Sequence, residues 1–509
     1  MDIFNLLALN GYGTGFSGHE DFVTTLNHTT ARCASENSQS NAWYVNFSNG
    51  HTNNNTKYTS GRVRAVVALD EEIKEGWVEA KNDCCANKLS SQQCEDWRMI
   101  AEQELWNLMY EVYYSEYKPT TSTCFVVSFP TFREIFAAAF RDRVVQHWIC
   151  ARLNPLFEMR FHSQGNVSFN CRKGFGTLRA AKALQIDMEY MTNGWTKKDV
   201  WVGRGDIKAF FMNIDKNILW ALLEPFIKEY YHESDLDILL KLTKVVIMHC
   251  PQDDCVRKGP LKYWLPENLP PHKSLFNVKR WLAMAIGNIL SQLCANFYMS
   301  FFDAMMIKLC RRFGCTYKRF VDDFTVVGPK KAIQYIFKMA ERWLRLYLHL
   351  TLHPDKFYLQ PVRHGCKFVG TQIMPHRTYL ANRTYGGLHD QIFVLRNLCV
   401  SIRDRGATWA KLRRLQREVS SINSYIGFTV HHRSFQMRKK LYGPYLKDIR
   451  SVCILNSDMG HVRIKRRYDY QYNLFLLENQ EYDLQLWNRP SRKSRVRKKF
   501  GKKAVHNKL

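Results

Sequence analysis

The 509-residue sequence predicts an α+β fold in which short strands end in acidic residues and are covered by helices, with a small β-containing extension at the N-terminus. Three observations predict it. Trp201-Val-Gly-Arg-Gly and Tyr317-Lys-Arg-Phe-Val read as strands, and each runs directly into aspartate. Apolar residues recur at helical spacing after residue 96, within 216–250, over 286–305 and over 379–445. Residues 1 to about 90 are instead rich in Asn, Ser, Thr and Gly, with aromatic and polar residues alternating at their centre.

In that N-terminal block Trp43, Val45 and Phe47 alternate with polar residues, which predicts a strand. Asn49-Gly50 then supplies a turn and Arg62-Val-Arg-Ala-Val-Val-Ala68 a returning strand, hence a hairpin. From Asp96 a helical stripe follows: Trp97, Ile100, Leu105, Leu108, Met109, Val112 and Tyr113. After the strand 201–206, Asn213-Ile-Asp-Lys-Asn-Ile-Leu-Trp-Ala-Leu-Leu223 places a capping residue before apolar residues at helical spacing. Residues 251–281, rich in Pro and charge, are expected to be an inserted loop. Ile286 to Met305 reads as a helix, and Tyr317–Gly328 as a tight hairpin with Asp322 and Asp323 at its tip. The helical stretch 379–445 is strongly basic, including Lys411-Leu-Arg-Arg-Leu-Gln-Arg-Glu418 and Arg438-Lys-Lys-Leu441.

Adjacent aspartates repel one another, and gain nothing for folding unless a cation or a donor network compensates them. An ordinary solvated turn is the plain alternative, since Asp is a common turn residue. Bringing Asp206 beside Asp322 and Asp323 would gather three carboxylates at one sheet edge. Such a cluster calls for divalent cations, and Mg²⁺ held by a few carboxylates plus substrate phosphates is the arrangement of polymerase sites. Two ions there stabilise the attacking and leaving oxygens of a phosphoryl displacement, so the pattern points to nucleotidyl transfer.

Composition agrees with a polyanionic partner. The formal net charge is +28, the electrostatic footprint of a nucleic-acid binder. From Arg489 onward the sequence carries no acidic residue, and Arg492, Lys493, Arg495, Arg497, Lys498 and Lys499 are placed to neutralise phosphates without reading sequence. With 46% apolar residues and 31 Phe the chain can bury a substantial core. Fifteen cysteines with no paired CxxC spacing read as free thiols rather than a zinc site. No N-terminal apolar leader is visible and no apolar run approaches membrane-spanning length, so a cytoplasmic protein without a membrane partner is expected.

Several segments resemble reverse transcriptases. Asp206-Ile-Lys-Ala-Phe-Phe211 resembles their motif A, and Phe320-Val-Asp-Asp323 their motif C, with Phe where Tyr is usual. Ala285-Ile-Gly-Asn-Ile-Leu-Ser-Gln-Leu-Cys-Ala-Asn-Phe-Tyr298 resembles motif B, Leu350–Lys356 motif D and Gly365-Cys-Lys-Phe-Val-Gly-Thr371 motif E. Arg133–Gln146 and Asn170–Thr177 resemble the fingers motifs of the bacterial enzymes. The Ile-Gly-x-x-x-Ser-Gln form at 286–292 is similar to that of diversity-generating retroelements and of domesticated bacterial reverse transcriptases associated with phage defence.

This resemblance implies a right-hand polymerase fold with fingers, ferredoxin-like palm and helical thumb. Its parts would be an extension at 1–94, fingers at 95–205, a palm at 206–375 with an inserted segment at about 216–281, a thumb at 376–450 and a C-terminal extension at 451–509 ending in the basic tail. It assigns Asp206, Ile207, Asp322 and Asp323 to two Mg²⁺ ions and Lys356 to protonation of the pyrophosphate leaving group. It assigns Arg133 and Lys173 to the incoming triphosphate, and Phe211 beside Phe210 to the aromatic gate against a ribose 2′-OH. Gly287, Ser291 and Gln292 would meet nucleotide and template; Ile286 departs from the usual Gln. Gly365, Phe368 and Gly370, with Arg413 and Arg414 of the thumb, would contact the duplex.

The implied partners are an RNA template, dNTPs and the cDNA product, with a homo-oligomer or accessory protein open. Three functions follow: an RNA-directed DNA polymerase copying a dedicated non-coding RNA in antiphage defence, the reverse transcriptase of a diversity-generating retroelement, or a catalytically inactive nucleic-acid-binding polymerase fold. The Asn-rich block resembles the end of the lectin-like or formylglycine-enzyme-like modules that such retroelements target, and it reads equally as a β appendage. No RNase H or endonuclease module is expected.

Overall fold

The computed structural model describes residues 30–36, 41–46, 52–56, 71–86, 92–128, 131–432 and 434–487. Helices and strands are mixed throughout, so the fold is α+β. The chain divides into two compact units, Met1–Tyr117 with Phe140–Ala151, and Lys118–Ala139 with Arg152–Leu509.

In the first unit β1 (Thr30–Glu36), β2 (Asn41–Asn46) and β3 (Thr52–Thr56) form an antiparallel sheet in that order. A strand pairs back on β2 with Thr52 opposite Val45, and the expected returning strand Arg62–Ala68 lies outside the described residues. Helices Gln92–Met99 and Ala101–Tyr113 break at Ile100, which is left 54% exposed while Leu105, Leu108, Met109 and Val112 are buried. Trp77 stacks on Trp148 at 5.0 Å between ring centroids.

The second unit is built on a four-stranded antiparallel sheet ordered β10-β6-β9-β8: β6 (Val200–Asp206), β8 (Thr316–Phe320), β9 (Asp323–Pro329) and β10 (Tyr358–Pro361). Strand periodicity sets its chemistry. Val200, Val202, Arg204 and Asp206 share one face. The two valines join a core with Ala180, Leu184, Val327 and Phe368, and the two charged residues emerge at the strand end. On the other face Gly205 lets the helix Lys330–Tyr347 lie against the strand, since a Cβ there would sit 2.7 Å from the Phe337 ring.

The long helix runs from Ile289 to Arg312, not from Ile286. Its start is displaced because Gly287 adopts φ +119° where a Cβ would come within 2.7 Å of the Phe136 carbonyl. By length and composition this helix could cross a membrane, contrary to the sequence expectation, yet 67% of its apolar stretch is buried in the protein. It is apolar all round because it is a core helix.

A second sheet, β5-β4-β7, joins β4 (Ser122–Val127), β5 (Arg133–Ala137) and β7 (Cys255–Lys258). The region 251–281 is thus not all loop: β7 pairs parallel with β4, and Ser274 Oγ and Leu275 N–H donate to the buried Glu134 carboxylate at 2.7 and 2.6 Å. A third sheet joins β11 (Cys366–Phe368), β12 (Thr371–Met374) and β13 (Arg377–Leu380).

Helices Asn382–Arg405, Trp409–Thr429, Phe435–Tyr442 and Leu446–Val452 follow, then the hairpin of β14 (Cys453–Leu455) and β15 (Val462–Ile464) and helix Arg466–Trp487. Their common core includes Leu388, Leu415, Ile422, Ile449, Val462 and Tyr468. It continues past residue 450, where the sequence reading ended the thumb.

Candidate active site at the end of the central sheet

Strands β6 and β9 pair in a register that sets Asp206 directly opposite Asp323, and β8 sets Phe320 opposite Asp323. A two-residue loop, Val321-Asp322, is left between β8 and β9. Val321 takes φ +58°, a left-handed conformation that is strained for a β-branched residue. The Ile207 N–H donates to the Asp322 carbonyl at 3.2 Å, so all three aspartates stand at one end of two adjacent strands.

The segment 350–356 is sewn alongside. Lys208 N–H donates to the Thr351 carbonyl at 2.9 Å, and His353 N–H to the Asp206 carbonyl at 2.8 Å. This places Lys356, in the short turn Pro354–Lys356, with Nζ 2.6 Å from Asp206 Oδ2. Arg204 donates to Asp323 through Nε and Nη2, both at 2.7 Å. No other side chain bonds to Asp322 among the described residues. Burial, reinforced by the charge of Asp206, pushes Asp322 up to about 6. Burial also pushes Asp323 up to about 6, against the lowering pull of Arg204. Among the described residues no three His, Cys, Asp or Glu side chains converge as a ready-made ligand set. The donor chemistry nonetheless suits a hard divalent cation: carboxylate oxygens only, one of them without a cationic side chain on it.

The turn is held from beneath by residues that sequence reasoning missed. Arg319, fully buried, gives Nε and Nη2 to the equally buried Asp303 (2.7 and 2.6 Å), Nη2 also to Asn296 Oδ1 (3.0 Å), and Nη1 to the Val321 carbonyl (2.9 Å). Tyr317 OH donates to Asp303 at 2.7 Å, and Ser168 Oγ to Asn296 at 2.6 Å. Two signals were available. Asp303 is a lone acid in an apolar helix, and Arg319 shares the inward face of β8 with Tyr317.

Phe210 is 3% exposed and packs in the core; Phe211 is half-buried, and its carbonyl accepts from Met284 N–H at 2.8 Å. Ile286 accepts from Phe136 N–H at 2.9 Å, which brings β5, the turn after β6 and Gly287 together. Ser291 is buried on its helix; Gln292 is exposed and accepts from Cys171 Sγ at 3.2 Å. Arg133 and Lys173 are exposed, and among the described residues nothing ties either to the aspartates. Gly370 (φ +81°) ends a two-residue hairpin loop between β11 and β12, and Gly365 (φ +74°) precedes β11. Phe368 requires a correction: at 1% exposure its ring belongs to the core and offers no face to nucleic acid. Arg413 and Arg414 are exposed on one helix, and the basic residues from Arg492 to Lys499 lie outside the described residues.

No protein-family model matches this chain, and no curated protein does. Solved structures similar to it include the apo telomerase of Candida tropicalis truncated from its C-terminal domain, at 14% identity and a TM-score of 0.37 over 55% of this chain and 60% of that one. The apo telomerase of Candida tropicalis matches at 13% identity and a TM-score of 0.37, over 65% of this chain and 61% of that one. The telomerase of the same organism in complex with a TWJ fragment of telomeric RNA matches at 10% identity and 0.35, over 74% and 65%. The chain spans less than two thirds of the length of each of these three structures. So shallow a likeness carries no argument about activity, substrate or partner.

Proposed function

We propose that the chain is an RNA-directed DNA polymerase, a nucleotidyltransferase that copies a dedicated non-coding RNA into cDNA in the cytoplasm as part of antiphage defence. The observation that carries the reading is the β6–β9 register, which sets Asp206 opposite Asp323 with Asp322 in the adjoining turn. Nothing in folding alone rewards standing three largely buried carboxylates at one end of two adjacent strands. The candidate donors are Asp206, Asp322 and the main chain of Ile207, with Asp323 beside them in its ion pair with Arg204. Two Mg²⁺ ions bound there would neutralise the attacking and leaving oxygens of the displacement. Lys356, which pairs with Asp206, would be the proton donor to pyrophosphate. The half-buried Phe211 offers an apolar wall with no hydrogen-bond partner for a ribose 2′-OH.

Primer extension on an RNA template in Mg²⁺ tests the activity. Asp206→Asn and Asp322→Asn should each lower the rate by roughly 10³-fold or more, the several kcal/mol that metal-ion catalysis supplies. Full activity in folded variants would remove the assignment. Sequencing the RNA that copurifies with the chain tests the biological role: one abundant non-coding species supports defence, and a template repeat would point to a diversity-generating retroelement. A second reading, a non-catalytic nucleic-acid binder, draws on the ion pairs that already engage Asp206 and Asp323. Absence of any extension by the intact chain would favour it.

A further inference from the structure

The three aspartates are not equivalent. Arg204 precedes Asp206 by two residues on β6, so both side chains leave the same face of the sheet. Its guanidinium holds both Asp323 oxygens, Nε on Oδ1 and Nη2 on Oδ2 at 2.7 Å each, with Asp323 only 14% exposed. Bidentate, charge-assisted pairs of this kind are among the strong ones, and the planar fork loses little freedom in forming them. Asp206, by contrast, meets a single ammonium, on a Lys356 side chain that is 50% exposed and can swing into water. Asp322 accepts no side-chain hydrogen bond among the described residues, and feels the charges of Asp206, Asp323 and Lys356.

A cation approaching Asp323 would have to break two short hydrogen bonds in a partly dry site, then sit beside the guanidinium it displaced. A cation approaching Asp206 and Asp322 needs only the lysine to move. We propose that Arg204 withholds Asp323 from the cation site, so that divalent ions are held through Asp206 and Asp322 while Asp323 fixes the Arg204 charge at the edge of the site. Arg204 is then a positioning residue that sets how tightly the centre binds its ions. This rests on the divalent-cation reading given above.

Binding of Mn²⁺ to the full chain, followed by the electron paramagnetic resonance of free ion, tests it without any turnover. Asp206→Asn and Asp322→Asn should each weaken binding by ~10-fold or more, and Asp323→Asn by less than ~3-fold. Arg204→Gln should tighten binding roughly tenfold, as a unit positive charge leaves and a third carboxylate is freed. The pair Arg204→Gln with Asp323→Asn should return close to the intact chain, which separates the charge effect from damage to the fold. Loss in Asp323→Asn equal to that in Asp322→Asn would overturn the inference and leave the cation reading standing. Unchanged binding in Asp206→Asn and Asp322→Asn would remove the cation reading itself. A thermal melt of each variant identifies any that failed to fold.

Discussion

Asp322 and Asp323 both have folded pKa values raised from the ordinary 3.8 to about 6, mainly by burial. A raised carboxylate pKa means that the folded state binds the proton more tightly than the unfolded one. Its contribution to stability is therefore complete below about pH 4 and is lost as pH climbs through 6. In EDTA, Asp322→Asn should consequently melt higher than the intact chain at pH 8, with a gain on the order of 1–3 kcal/mol. The difference should shrink toward zero as pH falls from 6 to 4. Equal melting temperatures across that range would mean that the Asp322 carboxylate is better solvated than its burial implies. At this scale the acids were legible in the sequence, because a chain that turns on paired aspartates advertises them. Arg204 was not: a strand arginine reads as solvent-facing until the register shows which carboxylate lies diagonal to it.

The hairpin of β8 and β9 was legible as an element through its β-branched and aromatic alternation. What the pattern did not disclose is how a valine is kept at φ +58° in the turn. The Arg319–Asp303 pair reaches up to the Val321 carbonyl, so turn and helix are one construction. Removing one member of a fully buried pair strands the other charge. Arg319→Met should destabilise by about 3–5 kcal/mol, while Arg319→Met with Asp303→Leu should recover most of that loss. The double variant still lacks the donor to Val321, so its primer extension should stay low although its melt recovers. Recovery of both together would show that the turn needs no tether. The same limit hid β7, since a strand in a Pro- and charge-rich stretch is defined by its partner β4 rather than by its own propensity.

Over the whole chain, charge speaks earlier than fold. The α+β class and the helical cover were readable from periodicity, whereas the unit boundaries were not: Phe140–Ala151 belongs with Met1–Tyr117 although β4 and β5 intervene in sequence. Such pairings depend on which apolar faces meet, and periodicity states only that a face exists. Net charge needs no such partner. Of the +28 formal charge, the stretch from Arg489 onward holds ten Lys and Arg and no Asp or Glu. Counterion release predicts that each phosphate neutralised on single-stranded RNA contributes roughly 0.7 to the slope of log affinity against log salt. Truncation before Arg489 should therefore flatten that slope by several units for any RNA sequence, and should weaken binding most at low salt. Extension of a preformed primer–template at saturating concentration should be nearly unchanged, because the aspartate centre lies elsewhere in the sequence. Filter binding at four or five salt concentrations with two unrelated RNAs makes the comparison. An unchanged slope, or a loss confined to one RNA, would assign the tail to a protein partner or to sequence-specific contacts instead of to phosphate.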